Sequence, residues 1–172
     1  VSPATASRLE VTGTAAMTAG NTNELIVTAK DSYGNIATSY AGTKALTFSG
    51  PGTAPGGQNP TVNLVTVGVA TPVDFTNGVS VAGAATLVAY RAETTIVNAG
   101  DGTISSTGYG LSLTVSPAPT TRLDLTPNGG PATAGVPFTV TVTAHDAYLN
   151  VTPGYAGTVT FSSSDNATGV VL

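Results

Sequence analysis

Apolar and hydroxylated residues alternate along much of this chain. Leu25, Val27 and Ala29 are set against Glu24, Ile26, Thr28 and Lys30, and Leu111, Leu113 and Val115 against Ser112, Thr114 and Ser116. A two-residue period puts each set on one face of an extended strand, one face apolar and the other hydroxylated. Threonine and valine, whose branched Cβ suits the pleat, dominate. The pattern predicts strands at about Arg8 to Gly13, Asn23 to Lys30, Lys44 to Ser49, Thr61 to Val67, Val73 to Thr76, Ala85 to Ala92 and Leu111 to Ser116. Between them, Asp31-Ser32-Tyr33-Gly34-Asn35 reads as a turn, Gly50 to Pro60 as an unpaired loop, Asn77-Gly78 as a tight turn and Asn98 to Gly102 as a reversal. Seven short strands in about 110 residues predict an all-β fold, an immunoglobulin-like antiparallel β-sandwich, with a barrel as the structural alternative.

The pattern also repeats. Val1-Ser2-Pro3-Ala4 followed by Arg8-Leu9-Glu10-Val11 returns as Val115-Ser116-Pro117-Ala118 followed by Arg122-Leu123-Asp124-Leu125. Met17 to Thr43 aligns with Ala132 to Thr158 without a gap, identical at 13 of 27 positions. The expected organisation is therefore tandem modules: residues 1–6 as a linker from a preceding repeat, 7–116 as a complete sandwich, 117–121 as a Pro-containing linker and 122–172 as the N-terminal half of a second sandwich. Two prolines in Ser116-Pro117-Ala118-Pro119-Thr120 stiffen that joint. In the second unit only the first three strands have equivalents, so Val140, Val142, Val159 and Phe161 should lack cover unless downstream residues or a neighbouring copy supply strands.

Composition narrows the function. Charged residues make up 8% of the 172, against roughly 25% in ordinary soluble proteins, so the surface is hydroxyl-rich. A net charge of −4 with five basic residues gives no footprint for phosphate backbones, which excludes nucleic acid as the expected partner. No cysteine is present for disulfides or thiolate metal sites, and no apolar run approaches the roughly 20 residues of a membrane span.

In Thr18-Ala19-Gly20, Val27 to Asn35 and Tyr40-Ala41-Gly42-Thr43, and in their counterparts Thr133-Ala134-Gly135, Val142 to Asn150 and Tyr155 to Phe161, the chain resembles bacterial immunoglobulin-like repeats, the invasin-like and filamin-like modules of large secreted and surface proteins. Phe75 to Val79, Tyr90 to Glu93 and Asp101 to Ser105 are similar to later segments of such repeats. The resemblance implies an extracellular sandwich used as spacer, stalk or adhesive element. It specifies a module type and no ligand.

Candidate chemistry is sparse. The single histidine, His145, aligns with Lys30 and is expected on a solvent-facing strand position, without the nucleophile and orienting group of a triad. The nine acids are scattered over strand ends and turns, and Asp74 or Asp101 as a glycosidase acid would be an arbitrary choice. Pro55-Gly56-Gly57 and Gly108-Tyr109-Gly110 match no phosphate-binding fingerprint, because no helix follows. Oxygen-bearing Asp31 and Asn35, with Asp146 and Asn150, are the candidate calcium ligands; six to eight oxygens are needed and the turn supplies few. Capping of the turn by Asp, with Gly34 or Asn35 in a left-handed conformation, is the preferred reading, and no metal or cofactor is assigned. The tyrosines Tyr33, Tyr148, Tyr40 and Tyr155 are expected to pack over sandwich ends. Asn150-Val151-Thr152 and Asn166-Ala167-Thr168 fit the N-glycosylation pattern, which arises readily in Thr-rich sequence.

The expected function is a non-catalytic structural or adhesive module of an extracellular bacterial surface protein or filament: stalk, spacer or fibre building block. Its expected partners are neighbouring modules of the same or an adjacent chain, by β-strand addition among other contacts, and a surface glycan or protein if it binds a ligand. The alternative is an accessory carbohydrate-binding module of a secreted enzyme, against which stand the absence of tryptophan and only ten aromatic residues.

Overall fold

The computed structural model describes residues 2–129, 133 and 135–163. Strands β1 (Arg8–Thr12), β2 (Ala16–Thr18), β3 (Thr22–Glu24), β4 (Ile26–Lys30) and β5 (Gly42–Ser49) come first. They are followed by β6 (Thr61–Val62), β7 (Val65–Thr66), β8 (Ala70–Thr76), β9 (Val79–Ser80) and β10 (Thr86–Val88). The chain continues through β11 (Glu93–Gly100), β12 (Leu111–Ser116), β13 (Arg122–Asn128) and β14 (Thr139–His145). No helix occurs among the described residues, and the chain is all-β as its period-two pattern predicts.

An eight-stranded sheet runs in the order β1-β4-β9-β8-β5-β11-β12-β2, a four-stranded sheet in the order β3-β10-β6-β7, and β13 and β14 form a separate hairpin. The pairings are antiparallel apart from β12 with β2. Alternation is cleanest in β8, where Thr71, Val73 and Phe75 are buried between exposed neighbours. The inward residues of both larger sheets, including Leu9, Val27, Leu46, Phe48, Val62, Leu87, Val97 and Leu113, form one core within residues 9–115. Edge strand β1 is not bare, because Leu9 N and Val11 N donate to Ser105 O and Tyr109 O at 3.0 Å each, drawing the large sheet round on itself.

Several strand assignments need correction. The strand expected from Asn23 to Lys30 changes sheets at Leu25: β3 pairs with β10 and β4 with β1, while Leu25 N donates to Ala85 O at 2.9 Å. Thr61 to Val67 is a hairpin, turning on Asn63 and Leu64 with φ of 50° and 65°. Only Thr86–Val88 of the expected Ala85 to Ala92 strand is regular; residues 89–92 carry the chain across to β11, whose eight residues were not anticipated. Its Glu93-Thr94-Thr95 start carries no apolar alternation, and only Val97 and Ala99 are buried in it. The reversal falls at residues 101–105, just after the predicted position.

The β13–β14 hairpin pairs over seven positions, from Arg122 with His145 to Asn128 with Thr139. Of the four residues expected to lack cover, Val140 is 36% exposed and Phe161 44%, whereas Val142 and Val159 are half-buried; Leu125 and Phe138 are exposed as well, at 54% and 60%. The third strand expected in this half is absent over residues 157–163, which hold no regular structure. Its closing residues, Val170-Val171-Leu172, lie outside the described residues.

Candidate functional site

The turns after β4 and β14 are built alike. Asp31 and Asp146 are completely buried, and each accepts two backbone N–H bonds on Oδ1: from Tyr33 and Asn35 at 2.9 and 2.8 Å, and from Tyr148 and Asn150 at 2.9 Å each. Oδ2 accepts the carboxamide Nδ2 of Asn35 at 3.1 Å in the first turn and of Asn150 at 2.8 Å in the second. A fourth donor comes from the entering chain, Ala4 N at 3.0 Å and Ala118 N at 2.9 Å. An aspartate here is fixed by geometry, since its two oxygens replace the carbonyls that the bent backbone cannot offer to its own N–H groups. Burial alone would raise both carboxyl pKa values, but the Asn side chain and the three backbone donors hold each below the usual aspartate range.

The four candidate calcium ligands therefore occupy two separate turns, and each carboxylate is ringed by N–H donors that a cation would have to displace. The left-handed residue is Gly34 at φ 86° in one turn and Leu149 at φ 64° in the other; Asn35 does not take that role. Asn150 is 3% exposed with its nitrogen bonded twice, so the first glycosylation match is inaccessible as it stands; the match at Asn166 lies outside the described residues.

The surroundings of the two turns differ. Asn150 spans onto the larger body: its Oδ1 accepts Ala92 N and its Nδ2 donates to Tyr90 O, both at 2.8 Å. Gly56 N donates to Tyr148 O at 2.9 Å, and the Tyr148 and Tyr90 rings pack with centroids 5.0 Å apart. The Tyr148 hydroxyl rests over Gly20, where a Cβ would overlap it. Three separate segments of the larger body, at Gly20, Gly56 and Tyr90 to Ala92, thus form a seat for the 146–150 turn. The connecting segment is held as well, with Ala19 N bonded to Ser116 O at 2.8 Å and Thr121 N to His145 O at 2.9 Å.

Tyr33 and Asn35 have no such seat. Tyr33 is 84% exposed, which corrects the expectation that its ring packs over a sandwich end. Tyr148 and Tyr40 do pack, Tyr40 edge-on to Phe75 with its hydroxyl donating to Asp101 Oδ2 at 2.8 Å. Burial and that hydrogen bond raise the Tyr40 pKa, while Asp101, where burial is opposed by the Ile104 and Thr103 N–H groups and by Tyr40, lies below the usual range. Tyr155 is 39% exposed.

His145 is not solvent-facing: its side chain is 16% exposed and Nδ1 lies 3.1 Å from Asp124 Oδ2. Antiparallel register places Asp124 two residues along from the partner of His145, close enough for a diagonal contact on the same face. Arg122, bonded to Asp124 at 2.7 and 2.6 Å, is the main cause of that carboxyl's lowered pKa. Arg122 and Asp124 thus form an exposed ion pair with the half-buried His145 beside it.

The recurring Tyr and Asn of the seat were visible in the sequence, but the receiving residues were not, since Gly20, Gly56 and Ala92 act through backbone or through lack of a side chain. Fold and site together define an all-β protein of several sheets in which a buried aspartate turn is seated on the end of the larger body. No protein-family model matches the chain, nor does any curated protein or solved structure.

Proposed function

We propose that this chain is a non-catalytic structural and adhesive element of an extracellular bacterial surface protein or filament, in which immunoglobulin-like modules follow one another as stalk, spacer or fibre block. The observation that carries this reading is the seated turn: Asn150 and Tyr148 bind the end of the larger body while the Asp146 carboxylate holds the connecting segment at Ala118. A connection fastened at both its own backbone and the next turn resists bending, which is what an extended spacer needs and a freely hinged pair of domains lacks. The few charges leave apolar burial and strand pairing as the means by which a further chain or module would complete the β13–β14 hairpin. Negative-stain electron microscopy of the native polypeptide containing this chain tests the proposal. A rod of evenly spaced beads is expected; a compact particle, or beads at random angles, overturns it.

A further inference from the structure

We infer that the outer face of the 31–35 turn is a docking surface for the end of another unit of the same type, placed before this one in a tandem array. The inference rests on the array reading and adds to it the residues of the joint. The two turns share their internal hydrogen bonds: Asp31 N to Asn35 O at 2.9 Å against Asp146 N to Asn150 O at 3.0 Å, and Ala37 N to Ala29 O at 3.0 Å against Thr152 N to Ala144 O at 2.9 Å. The chain enters both alike, from Val-Ser-Pro-Ala, with the alanine N–H on the aspartate. A unit ahead of Ala4 is therefore delivered to the same side of the 31–35 turn as the larger body occupies beside the 146–150 turn.

The counterparts of the two side chains that make the existing seat are present with their outward groups unengaged, the Asn35 Nδ2 bonding only to Asp31 within its own turn. Tyr33 stands 84% exposed where Tyr148 is packed, and the Asn35 carboxamide oxygen has no partner among the described residues where that of Asn150 accepts Ala92 N. One carboxamide matching a peptide N–H and C=O two residues apart, with one phenol lying over a side-chain-free glycine, defines the complementary surface. That surface is the one the larger body presents at Gly20, Gly56, Tyr90 and Ala92. Gly34, replacing Leu149, puts no bulk in the way: the nearest atom to a Cβ there is the Arg8 guanidinium at 3.7 Å.

The test lengthens the full chain at its start with one more copy of residues 1–114, the added copy carrying Tyr33→Phe so that a single Tyr33 remains, and Thr114 runs into Val1 as it natively runs into Val115. Tyrosine nitration, mapped by mass spectrometry, then reports on the ring. Tyr33 is expected to react readily in the 172-residue chain and about tenfold more slowly or better in the lengthened one, Tyr148 serving as the seated reference in both. Equal reactivity of Tyr33 in the two chains overturns the inference. Spin labels on the two large bodies give a second readout: a narrow distance distribution that broadens with Tyr33→Ala supports the joint, and a distribution indifferent to that change overturns it. Tyr33→Ala leaves the fold intact because the ring touches little. Loss of the joint is compatible with a rod in the microscopy test, held instead by strand pairing or stiff linkers, so the two proposals fail separately.

Discussion

The turns at residues 31–35 and 146–150 are the same object in two environments. Both wrap a buried aspartate in four N–H donors, yet one presents its tyrosine to solvent and the other has driven it against a neighbouring ring. The difference teaches that the cap is a local property of Asp-x-Tyr-x-Asn, whereas the seat is a property of what stands opposite. An Asp–Asn pair whose carboxylate bonds are already complete leaves the asparagine's other edge free, so one short motif can close a turn and bond to Tyr90 and Ala92 at once. The comparison also explains why a carboxylate is used where a neutral acceptor would cap: charge-assisted bonds of this kind are roughly twice as strong, and the connecting segment depends on one of them.

The sharpest way to break the comparison is at Gly20, which faces the 146–150 turn, and at its sequence counterpart Gly135, which faces neither turn. Gly20, at φ 83°, lies beneath the Tyr148 hydroxyl, while Gly135, its counterpart at φ 78°, has nothing within 4 Å. Gly20→Ala adds left-handed strain and evicts the phenol, a combined loss of about 2–4 kcal/mol. Gly135→Ala adds strain alone, about 1–2 kcal/mol. Denaturant unfolding and hydrogen exchange at Tyr148 measure both. Exposure of Tyr148 is expected in the first variant only, and an equal response would mean that the ring contact contributes nothing to the joint.

How far the sequence revealed this arrangement depended on which atoms do the work. Strands β1, β4, β8 and β12 were legible because each buries alternate side chains, Leu9 and Val11 or Val73 and Phe75. Strand β11 was not, since its first half is held by backbone pairing to β12 with threonines on its surface. The change of sheet at Leu25 left no mark, because a residue buried in either sheet reads the same. The aspartate cap was legible in its spacing. The seat was invisible because Ala92 and Gly56 offer an N–H and Tyr90 a carbonyl, groups that every residue but proline, or every residue, carries. What recurred was the half of the joint made of side chains.

Acid is a milder disturbance that acts on both turns at once. Each carboxyl titrates below its ordinary range when folded, so its stabilising contribution is fully present above the unfolded value and fades as pH falls through the folded one, beginning below pH about 4. Loss of Asp31 should register as destabilisation of the larger body. Loss of Asp146 should also release Ala118 and unseat Tyr148. Hydrogen exchange at Ala118 and Ala4, followed from pH 7 down through titration of the folded carboxyls, separates the two. Ala118 protection that survives protonation of the folded Asp146 carboxyl would show that the carboxylate's charge is not what fastens the connection.

The smallest effect concerns the one position where the turns differ in conformational cost. Gly34 adopts its left-handed backbone freely, whereas Leu149 does so at φ 64° against the clash of its own Cβ with the following carbonyl. Exchanging them should move the two turns in opposite directions. Leu149→Gly is expected to stabilise the second turn by about 0.5–1 kcal/mol, relief of strain being offset by the half-buried side chain that is lost. Gly34→Leu should cost about 1–2 kcal/mol in left-handed strain, its Cβ meeting no atom nearer than the Arg8 guanidinium at 3.7 Å. Denaturant titration of each variant, with hydrogen exchange at residues 34 and 149, gives the values. Were Leu149→Gly to destabilise, the leucine would be a packing member of the seat, and the difference between the turns would extend beyond tyrosine and asparagine to the residue between them.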